Sequence, residues 1–569
     1  MVESPTIPVM NAPVILLVSE HHGDHLLDEF GRYRRDYVLH HEGTAAGATQ
    51  ALRTWRDDGQ PVALVVQDGE LPDASAFEAF HVWRKVLPTA RRVVAQHWDT
   101  FLDVAPTMRS GLAHGKFDAF LLMPRGARDE EFHTAITELL SDWGSTVATP
   151  EVEAWRIVSG PGNPLTSAIR EYAARMGMPA GVHAPDSDVG REVLAALLAE
   201  GRTPGEPVVW PARGGPFVAT SVREVAQAVY GAPDQVPLDD VVDLAVVGAG
   251  PAGLAAAVYG ASEGLSTVVL EAEAIGGQAG TSSMIRNYLG FPRGVSGMRL
   301  AQRARNQALR FGTQFFTGWE VDALDPCDVD ADPRERHHVL TTLGGGRVRA
   351  RAVVIATGVA YRHLGVEGIE SLVGRGVHYG SAMAAAQEVA GQDVVVVGGG
   401  NSAGQAAIHL AKFARSVTIA VRRDLSETMS SYLIDEIRWT QRVTVHTGVE
   451  VVDGGGEGQL EWLDVRKGAT GEVVRVPAQA LFLLIGAEPT CGWLPAAVAR
   501  DEHGFVLTGR DVPREAWADD VPPPNLSTTA PGVFAVGDIR AGSMKRVASA
   551  SGEGASVVPL VHAWLAPSR

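Results

Sequence analysis

The chain has 569 residues, and at roughly 150 residues per domain three to four domains are expected. Apolar residues make up 45% and glycines number 63, which suits α/β domains and excludes a disordered chain. With 49 basic against 67 acidic residues the net charge is −18, a surface that repels phosphate backbones and argues against nucleic acid as a partner. No apolar run approaches the roughly 18 residues of a membrane span. The apolar core near the start is too short for a secretory signal, so a cytoplasmic protein is expected. Cys327 and Cys491 are the only cysteines, too few for a disulfide framework or a Cys-rich metal site.

In chain order, "PVILLVSEHHGDHLLDEF" opens on a buried-type strand at 14–19, and "PVALVVQDGELPDASAF" holds a second that ends in Asp68. "ARRVVAQHWDT" and "FDAFLLMPRG" add two more, alternating with helical stretches. These residues resemble the receiver domain of two-component response regulators, a doubly wound fold. The resemblance implies that Asp68 is the phosphoacceptor. Where receivers carry an Mg²⁺-binding acidic pair this chain has Ser19 and Glu20; the hydroxyl position holds Gln96 and the lysine position Met123. Without those groups the charge neutralisation that phosphoryl transfer requires is lost. A pseudo-receiver over 1–150, serving as a docking surface for a protein partner or as a dimer surface, is the expectation.

Residues 151–238 read as strand, turn, helix and strand in "AWRIVSGPGNPLTSAIREYAARMGMPAGVHAPD", then as a hairpin and helix in "GEPVVWPARGGPFVATSVREVAQAVYG". They resemble a thioredoxin- or glutaredoxin-like fold with Pro207 at the cis-proline position. Its first turn, "SGPGNPLTS", contains no Cys-x-x-Cys.

"DLAVVGAGPAGLAAAVYGASEGLSTVVLEAE" is strand, glycine turn, helix and strand. Gly248, Gly250 and Gly253 form the dinucleotide fingerprint, with Pro251 and Ala252 inside it. Gly248 permits the tight turn, Gly250 lets backbone approach a pyrophosphate, and Gly253 lets helix and strand pack closely. The helix N-terminus then faces the phosphates. Glu271, at the end of the next strand, is placed to accept the hydroxyls of an adenosine ribose. "AVVIATG" ends in Thr357 and Gly358, and "PGVFAVGDI" ends in Gly537 and Asp538, the latter suited to a ribityl hydroxyl.

A second unit, "DVVVVGGGNSAGQAAIHLAKFARSVTIAVRRD", repeats the pattern with Gly398, Gly400, Asn401, Ser402 and Ala403. At its second strand end Arg422 and Arg423 replace the acid. A guanidinium binds a 2′-phosphate through forked hydrogen bonds that a carboxylate would oppose. This unit therefore favours NADPH over NADH.

From Val241 onward the chain resembles the low-molecular-weight thioredoxin reductases, through GAGPAG, "GGQAGTSSMIRNYLGFP", the ATG strand, GGGNSAG with VRRD, and "GVFAVGDIRAGSMKRVASASGEGA". The resemblance implies a FAD domain in two pieces, 239–360 and 487–569, with an NADPH domain at 361–486 between them. It implies FAD contacts at Gly276, Gly277 and Gln278, Asn287 near the isoalloxazine, and Arg546, Val547 and Ala548 at the pyrimidine edge. It also implies a homodimer. The family's dithiol aligns with Gly380 and Met383, and the aspartate after it with Ala384. Neither glycine nor a thioether forms a thiolate or disulfide, so thiol–disulfide exchange is not expected here.

The expected function is transfer of electrons from NADPH through FAD to an unidentified acceptor: a quinone, dioxygen, a small electrophile or a redox protein. No side-chain acid or base is required for the first half of that chemistry. Two alternatives stand beside it. One is a signalling protein whose flavin senses NADPH; the other is a disulfide reductase using Cys327 and Cys491.

Overall fold

The computed structural model describes residues 12–113, 115–126, 128–147, 153–232, 241–282, 284–328, 336–380, 382, 385–386 and 388–566. Two compact units divide the chain. The first comprises Met1–Thr149, Ala411–Phe413 and Met429–Val443; the second comprises Pro150–Leu410, Ala414–Thr428 and Thr444–Arg569.

The first unit contains strands β1 (Val14–Val18), β2 (Val38–Glu42), β3 (Val62–Asp68), β4 (Arg91–Gln96) and β5 (Ala119–Leu122). Its helices are α1 (Gly23–Glu29), α2 (Ala45–Asp57), α3 (Ala76–Val86), α4 (Phe101–Ala113) and α5 (Glu130–Thr146). The strands are parallel in the order β2-β1-β3-β4-β5. β1 and β3 are buried along their whole length, as parallel strands covered on both faces must be. One face packs on Ala48, Leu52, Phe80 and Trp83 of α2 and α3. The other packs on Leu26, Phe132, Ile136 and Trp143 of α1 and α5. Helix starts follow local chemistry. Ser75 and Glu78 cap α3 reciprocally, and the Thr44 hydroxyl accepts the Gly47 N–H at 3.0 Å to start α2. The sheet reverses direction of growth between β1 and β3, and Asp68 stands at the carboxyl end of β3, where such sheets place their sites.

The second unit begins with β6 (Trp155–Val158), α6 (Pro164–Arg175), β7 (Ala180–His183), α7 (Asp188–Ala199), β8 (Val208–Trp210), β9 (Phe217–Val218) and α8 (Val222–Tyr230). Its four strands order as β7-β6-β8-β9, with β8 and β9 antiparallel. The Glu206–Pro207 peptide leading into β8 is cis. Trp155, Ile169 and Val225 of this module share one core with Leu244, Val246 and Val354 of the next.

That next sheet holds β10 (Val242–Val247), β11 (Thr267–Glu271), β12 (Gln314–Thr317), β13 (Val321–Asp325), β14 (His338–Thr342) and β15 (Arg347–Ile355), in the order β12-β11-β10-β15-β14-β13. Helices α9 (Pro251–Ser262), α10 (Gly277–Gly280) and α11 (Gly297–Arg310) accompany it. Strand β16 (Val359–Tyr361) then leads away, followed by α12 (Glu367–Glu370), β17 (Val377–Tyr379), β18 (Asp393–Val397), α13 (Asn401–Leu410), β19 (Ser416–Val421), α14 (Ser431–Trp439), β20 (Val443–Thr447), the meander β21 (Val449–Gly455), β22 (Trp462–Lys467) and β23 (Val473–Pro477), and β24 (Ala480–Leu483). Strands β17-β24-β18-β19-β20 form a second doubly wound sheet. β25 (Ala487–Pro489) pairs antiparallel with β16, and β26 (Val533–Ala535) pairs with β15, so the chain returns to its first dinucleotide sheet. Helices α15 (Val547–Ser556) and α16 (Val558–Leu565) close it. Among the described residues no helix is long and apolar enough to cross a membrane.

Candidate dinucleotide-binding site

The turn between β10 and α9 is built from glycines whose missing side chains are sterically required. Gly248 adopts φ +104°, and a Cβ there would lie 2.4 Å from the Ala356 carbonyl oxygen. A Cβ on Gly253 would lie 1.9 Å from the Gly248 carbonyl oxygen, so strand and helix meet backbone to backbone. Gly250 differs, because its Cβ would meet nothing within 4 Å. That open space lies beside the start of α9, flanked by Pro251 and Ala252, where the positive end of a helix dipole would favour a pyrophosphate. Glu271 accepts the Ala249 N–H at 2.6 Å and the Glu273 N–H at 2.9 Å, which fixes its carboxylate across the turn. Burial pushes its carboxyl pKa up, against those two bonds. Each of its oxygens keeps a lone pair for a ribose hydroxyl.

Other sequence-selected residues gather on the same turn. Gly276 donates its N–H to the Ala249 carbonyl at 2.8 Å, and a Cβ on Gly277 would lie 3.1 Å from Gly250 Cα. The Gln278 amide donates to the Val359 carbonyl. A Cβ on Gly537 would sit 2.9 Å from Ala252 Cβ, and Gly537 donates its N–H to Glu553 at 2.6 Å. Asp538 follows it, its carboxyl pushed up by burial while Lys545 draws it down. α15 lies against α9 at contact distance, since a Cβ on Gly554 would come 2.1 Å from the Ala252 carbonyl oxygen. Arg546 is the N-cap of α15, and Val547 and Ala548 begin it. Thr357 donates its hydroxyl to the Thr490 carbonyl at 2.9 Å, and Gly358 turns at φ +63°, so both lie in the turn between β15 and β16. Asn287 is exposed, just past the isolated Ile285–Val295 bridge.

In the second sheet Gly398 takes φ +142°, where a Cβ would lie 2.4 Å from the Leu484 carbonyl oxygen, and Gly400 again opens onto free space. Asn401, Ser402 and Ala403 begin α13, with Ala403 fully buried. Arg422 and Arg423 follow β19 with side chains 80% and 77% exposed, their nearest carboxylates Glu450 at 4.0 Å and Glu427 at 3.5 Å. Both guanidiniums are therefore available to a ligand.

Gly380 stands at φ +73°, and a Cβ there would lie 2.6 Å from Cε2 of Tyr361 and 2.8 Å from its hydroxyl. Burial pushes the Tyr361 phenol up, while a hydrogen bond with Thr281 pulls it down. Met383 and Ala384 lie outside the described residues. Cys327 and Cys491 are both free; the Cys491 thiol donates to the Gly504 carbonyl at 2.9 Å, and burial pushes the Cys327 thiol up. Two features carried no signal in the sequence. One is Tyr361. The other is Arg175 on α6, whose guanidinium donates to the Ala274 carbonyl at 2.6 Å and the Gly277 carbonyl at 3.2 Å and so braces the glycine turn.

In the first unit Asp68 is 7% exposed. Its Oδ2 accepts the Ser19 hydroxyl at 2.8 Å and contacts His22 Nδ1 at 2.6 Å; its Oδ1 accepts the Gly69 N–H at 2.8 Å. The His22 ring stacks on His97. Gln96 donates to the Thr100 hydroxyl at 2.7 Å, Met123 is fully buried, and Glu20 is exposed. Among the described residues no group of three or more His, Cys, Asp or Glu side chains is arranged to hold a metal ion.

Comparison with known proteins bears on the second unit. Residues 242–554 match the family described as pyridine nucleotide-disulphide oxidoreductase. A thioredoxin reductase of Mycolicibacterium smegmatis is 34% identical over 327 residues, spanning 57% of this chain and 97% of that protein. A bifunctional thioredoxin reductase/thioredoxin of Mycobacterium leprae is 32% identical over 329 residues, 58% of this chain and 67% of that protein. Among solved structures, the Lactococcus lactis thioredoxin reductase in its FR conformation aligns with a TM-score of 0.51 at 25% identity, over 57% of this chain and 99% of that one. The T. acidophilum thioredoxin reductase aligns with a TM-score of 0.50 at 27% identity, over 57% and 98%.

Proposed function

The chain belongs to the pyridine nucleotide-disulphide oxidoreductase family, and from that premise we propose that it is an FAD-containing, NADPH-dependent oxidoreductase working without a dithiol. The observation that carries this is Gly380. Its left-handed backbone and the Tyr361 ring leave no room for a side chain at the position aligned with the first redox cysteine. A thiol–disulfide relay through that position is ruled out by chemistry.

The residues present fit the two cofactors. Gly248, Gly250 and Gly253 with Glu271 would hold the adenosine and pyrophosphate of FAD, Asp538 the ribityl chain, and the head of α15 the pyrimidine edge. Gly398, Gly400 and the exposed Arg422 and Arg423 would hold NADPH. Bound there, FAD supplies the two-electron chemistry that no side chain provides. The chain's own work is to bind, orient and brace: Glu271 fixes the turn, and Arg175 holds the Ala274 and Gly277 carbonyls in place. The acceptor takes its electrons directly and belongs to the quinones, small electrophiles, dioxygen or redox proteins.

The same reading divides the chain into a pseudo-receiver at 1–150, a thioredoxin-like module at 151–238, FAD segments at 239–360 and 487–569, and an NADPH segment at 361–486, in a homodimer. Support for the pseudo-receiver comes from Asp68, whose carboxylate is already engaged by Ser19, His22 and Gly69.

The test is NADPH oxidation with quinones and with disulfide substrates, wild type beside Cys327→Ser/Cys491→Ser. Quinone turnover equal in both proteins, with no disulfide reduction, is expected. Disulfide reduction by wild type that disappears in the double variant overturns the proposal. Retention of both cofactors without turnover of any acceptor would instead support an NADPH-sensing role.

A further inference from the structure

Helix α6 makes contacts on two opposite sides. Leu165, Ile169, Tyr172 and Ala173 recur at helical spacing on one side and enter the core shared with the first dinucleotide sheet. Polar bonds complete that attachment. The Tyr172 and Thr317 hydroxyls share a hydrogen bond of 2.8 Å at the end of β12, and the Gln302 amide of α11 donates to the Ala174 carbonyl at 3.2 Å. Arg175 holds the Ala274 and Gly277 carbonyls at the end of the helix.

Pro164, Ser167 and Arg170 recur every third residue, and at about 100° per residue they fall on the far side of the helix. That side meets the connections of the second dinucleotide sheet. The Ser167 hydroxyl donates to Glu388 Oε1 at 3.1 Å, and the Arg170 guanidinium pairs with the same carboxylate. Glu388 stands in the turn before β18, where its N–H donates to the Ala385 carbonyl at 3.0 Å and the adjoining Val389 is buried. Pro164 lies against Gly374, because a Cβ on that glycine would come 2.5 Å from Pro164 Cβ. All of these residues belong to the second compact unit.

The chain passes from the first dinucleotide sheet to the second and back through β16 and β25, a ribbon of two strands and three residue pairs. Bodies joined through a few element-terminal residues turn about them. A second attachment outside that neck removes the freedom. We propose that α6 is this attachment, a strap whose one side is buried on the first sheet and whose other side ties down the second. The β6–α8 module, which has no Cys-x-x-Cys, then serves to fix the orientation of the two nucleotide-binding sheets. Ser167 and Arg170 are positioning residues and touch no cofactor. Under the function proposed above, the orientation they hold sets how NADPH is presented to the flavin, and that consequence rests on the same reading.

The test uses the full-length protein as purified, in a Cys327→Ser/Cys491→Ser background. Spin labels are placed through Gln307→Cys on α11 and Val473→Cys on β23, both exposed positions. Labelled chain is diluted into unlabelled chain, and the distance between the labels is read by pulsed electron paramagnetic resonance. Arg170→Glu and Glu388→Arg each set like charges against one another, and the double swap Arg170→Glu/Glu388→Arg restores an opposite pair. The two side chains are 29% and 34% exposed, so a reversal is felt but partly screened. One narrow distribution is expected without the reversals. In each single reversal the share of other distances is expected to rise about fivefold, and in the swap to return close to its starting value. Hydrogen exchange over 171–176 should stay unchanged throughout, since the first sheet still holds that half of the helix. A broad distribution in the starting protein overturns the proposal, and so does a narrow one in either single reversal. Broadening that the swap leaves in place also overturns it, because the pair would then not be the tie. Faster exchange over 171–176 does the same, because α6 would not be anchored on the first sheet. A protein that purifies without flavin and takes none up defeats the FAD reading, while the distances still decide the strap.

Discussion

Replacing Arg422 and Arg423 together by alanine separates nucleotide choice from folding. Both side chains are about four-fifths exposed, and their nearest carboxylates are 3.5 Å or more away. Surface pairs of that kind contribute about 0–1 kcal/mol, so the unfolding midpoint is expected to move by no more than about 2 °C. A 2′-phosphate bound by two guanidiniums gains about 1.5–3 kcal/mol for each charge-assisted bond in a dry site. At this exposed site the lower end applies, and about 2–3 kcal/mol for the pair corresponds to a roughly 30- to 150-fold loss at 1.4 kcal/mol per decade. The assay is stopped-flow bleaching of the flavin at subsaturating NADPH and NADH, at two salt concentrations. NADPH reduction is expected to slow by that factor while NADH reduction changes less than about twofold. The NADPH advantage of the wild type should also shrink as salt rises. An unchanged NADPH/NADH ratio in the variant, or equal slowing with both nucleotides, refutes the reasoning.

Gly253→Ala, whose methyl would lie 1.9 Å from the Gly248 carbonyl oxygen, forces α9 off its strand and is expected to purify with less than about half its FAD by absorbance; full occupancy contradicts the close-packing role. Lys412 loses its proton more readily folded, at about 8, than unfolded, at 10.5, so its contribution to stability is absent below the folded value and complete above the unfolded one. The unfolding free energy from urea titration should therefore rise between pH 7 and pH 10 by more in wild type than in Lys412→Met, by about 1–2 kcal/mol after solvent screening, and parallel profiles would remove this assignment. Incubation with acetyl phosphate is expected to leave Asp68 unmodified, because Ser19 and His22 hold its Oδ2 and Met123 is buried where a cation would be needed; an acid-labile phosphate on Asp68 in the mass spectrum would show that the site still works.

The parts legible in the sequence are those with strong local patterns. The runs VILLV and VALVVQD could only be strands buried on both faces, and they are β1 and β3. The glycine turns at 248–253 and 398–403 combine composition with steric need, and each begins a helix as the motif implies. What the sequence hid depends on pairs brought together from afar. Tyr361 ends the three-residue strand β16 and Gly380 follows the three-residue strand β17, both too short for a periodic signal, so nothing marks the phenol as filling the space beside the glycine. Arg175 ends an ordinary amphipathic helix, and its two carbonyl partners lie about a hundred positions further on. α14 is equally opaque, because an amphipathic helix with Leu433 and Ile437 on its buried face reads the same whichever unit covers it.

The proposal that no dithiol works at this site draws on three features. Position 380 takes a backbone conformation that side-chain-bearing residues rarely adopt, and the Tyr361 ring occupies the volume a thiol would need. Neither remaining cysteine offers a substitute: burial raises the Cys327 thiol, which disfavours the thiolate that attacks disulfides, and the Cys491 thiol is engaged with the Gly504 carbonyl. Putting a cysteine back at 380 would therefore leave a strained residue against Tyr361 rather than a working relay. The glycine turns, Glu271 and the exposed arginine pair remain as the groups that would hold the two nucleotides. Under the function proposed above, the acceptor would take its electrons directly at the flavin.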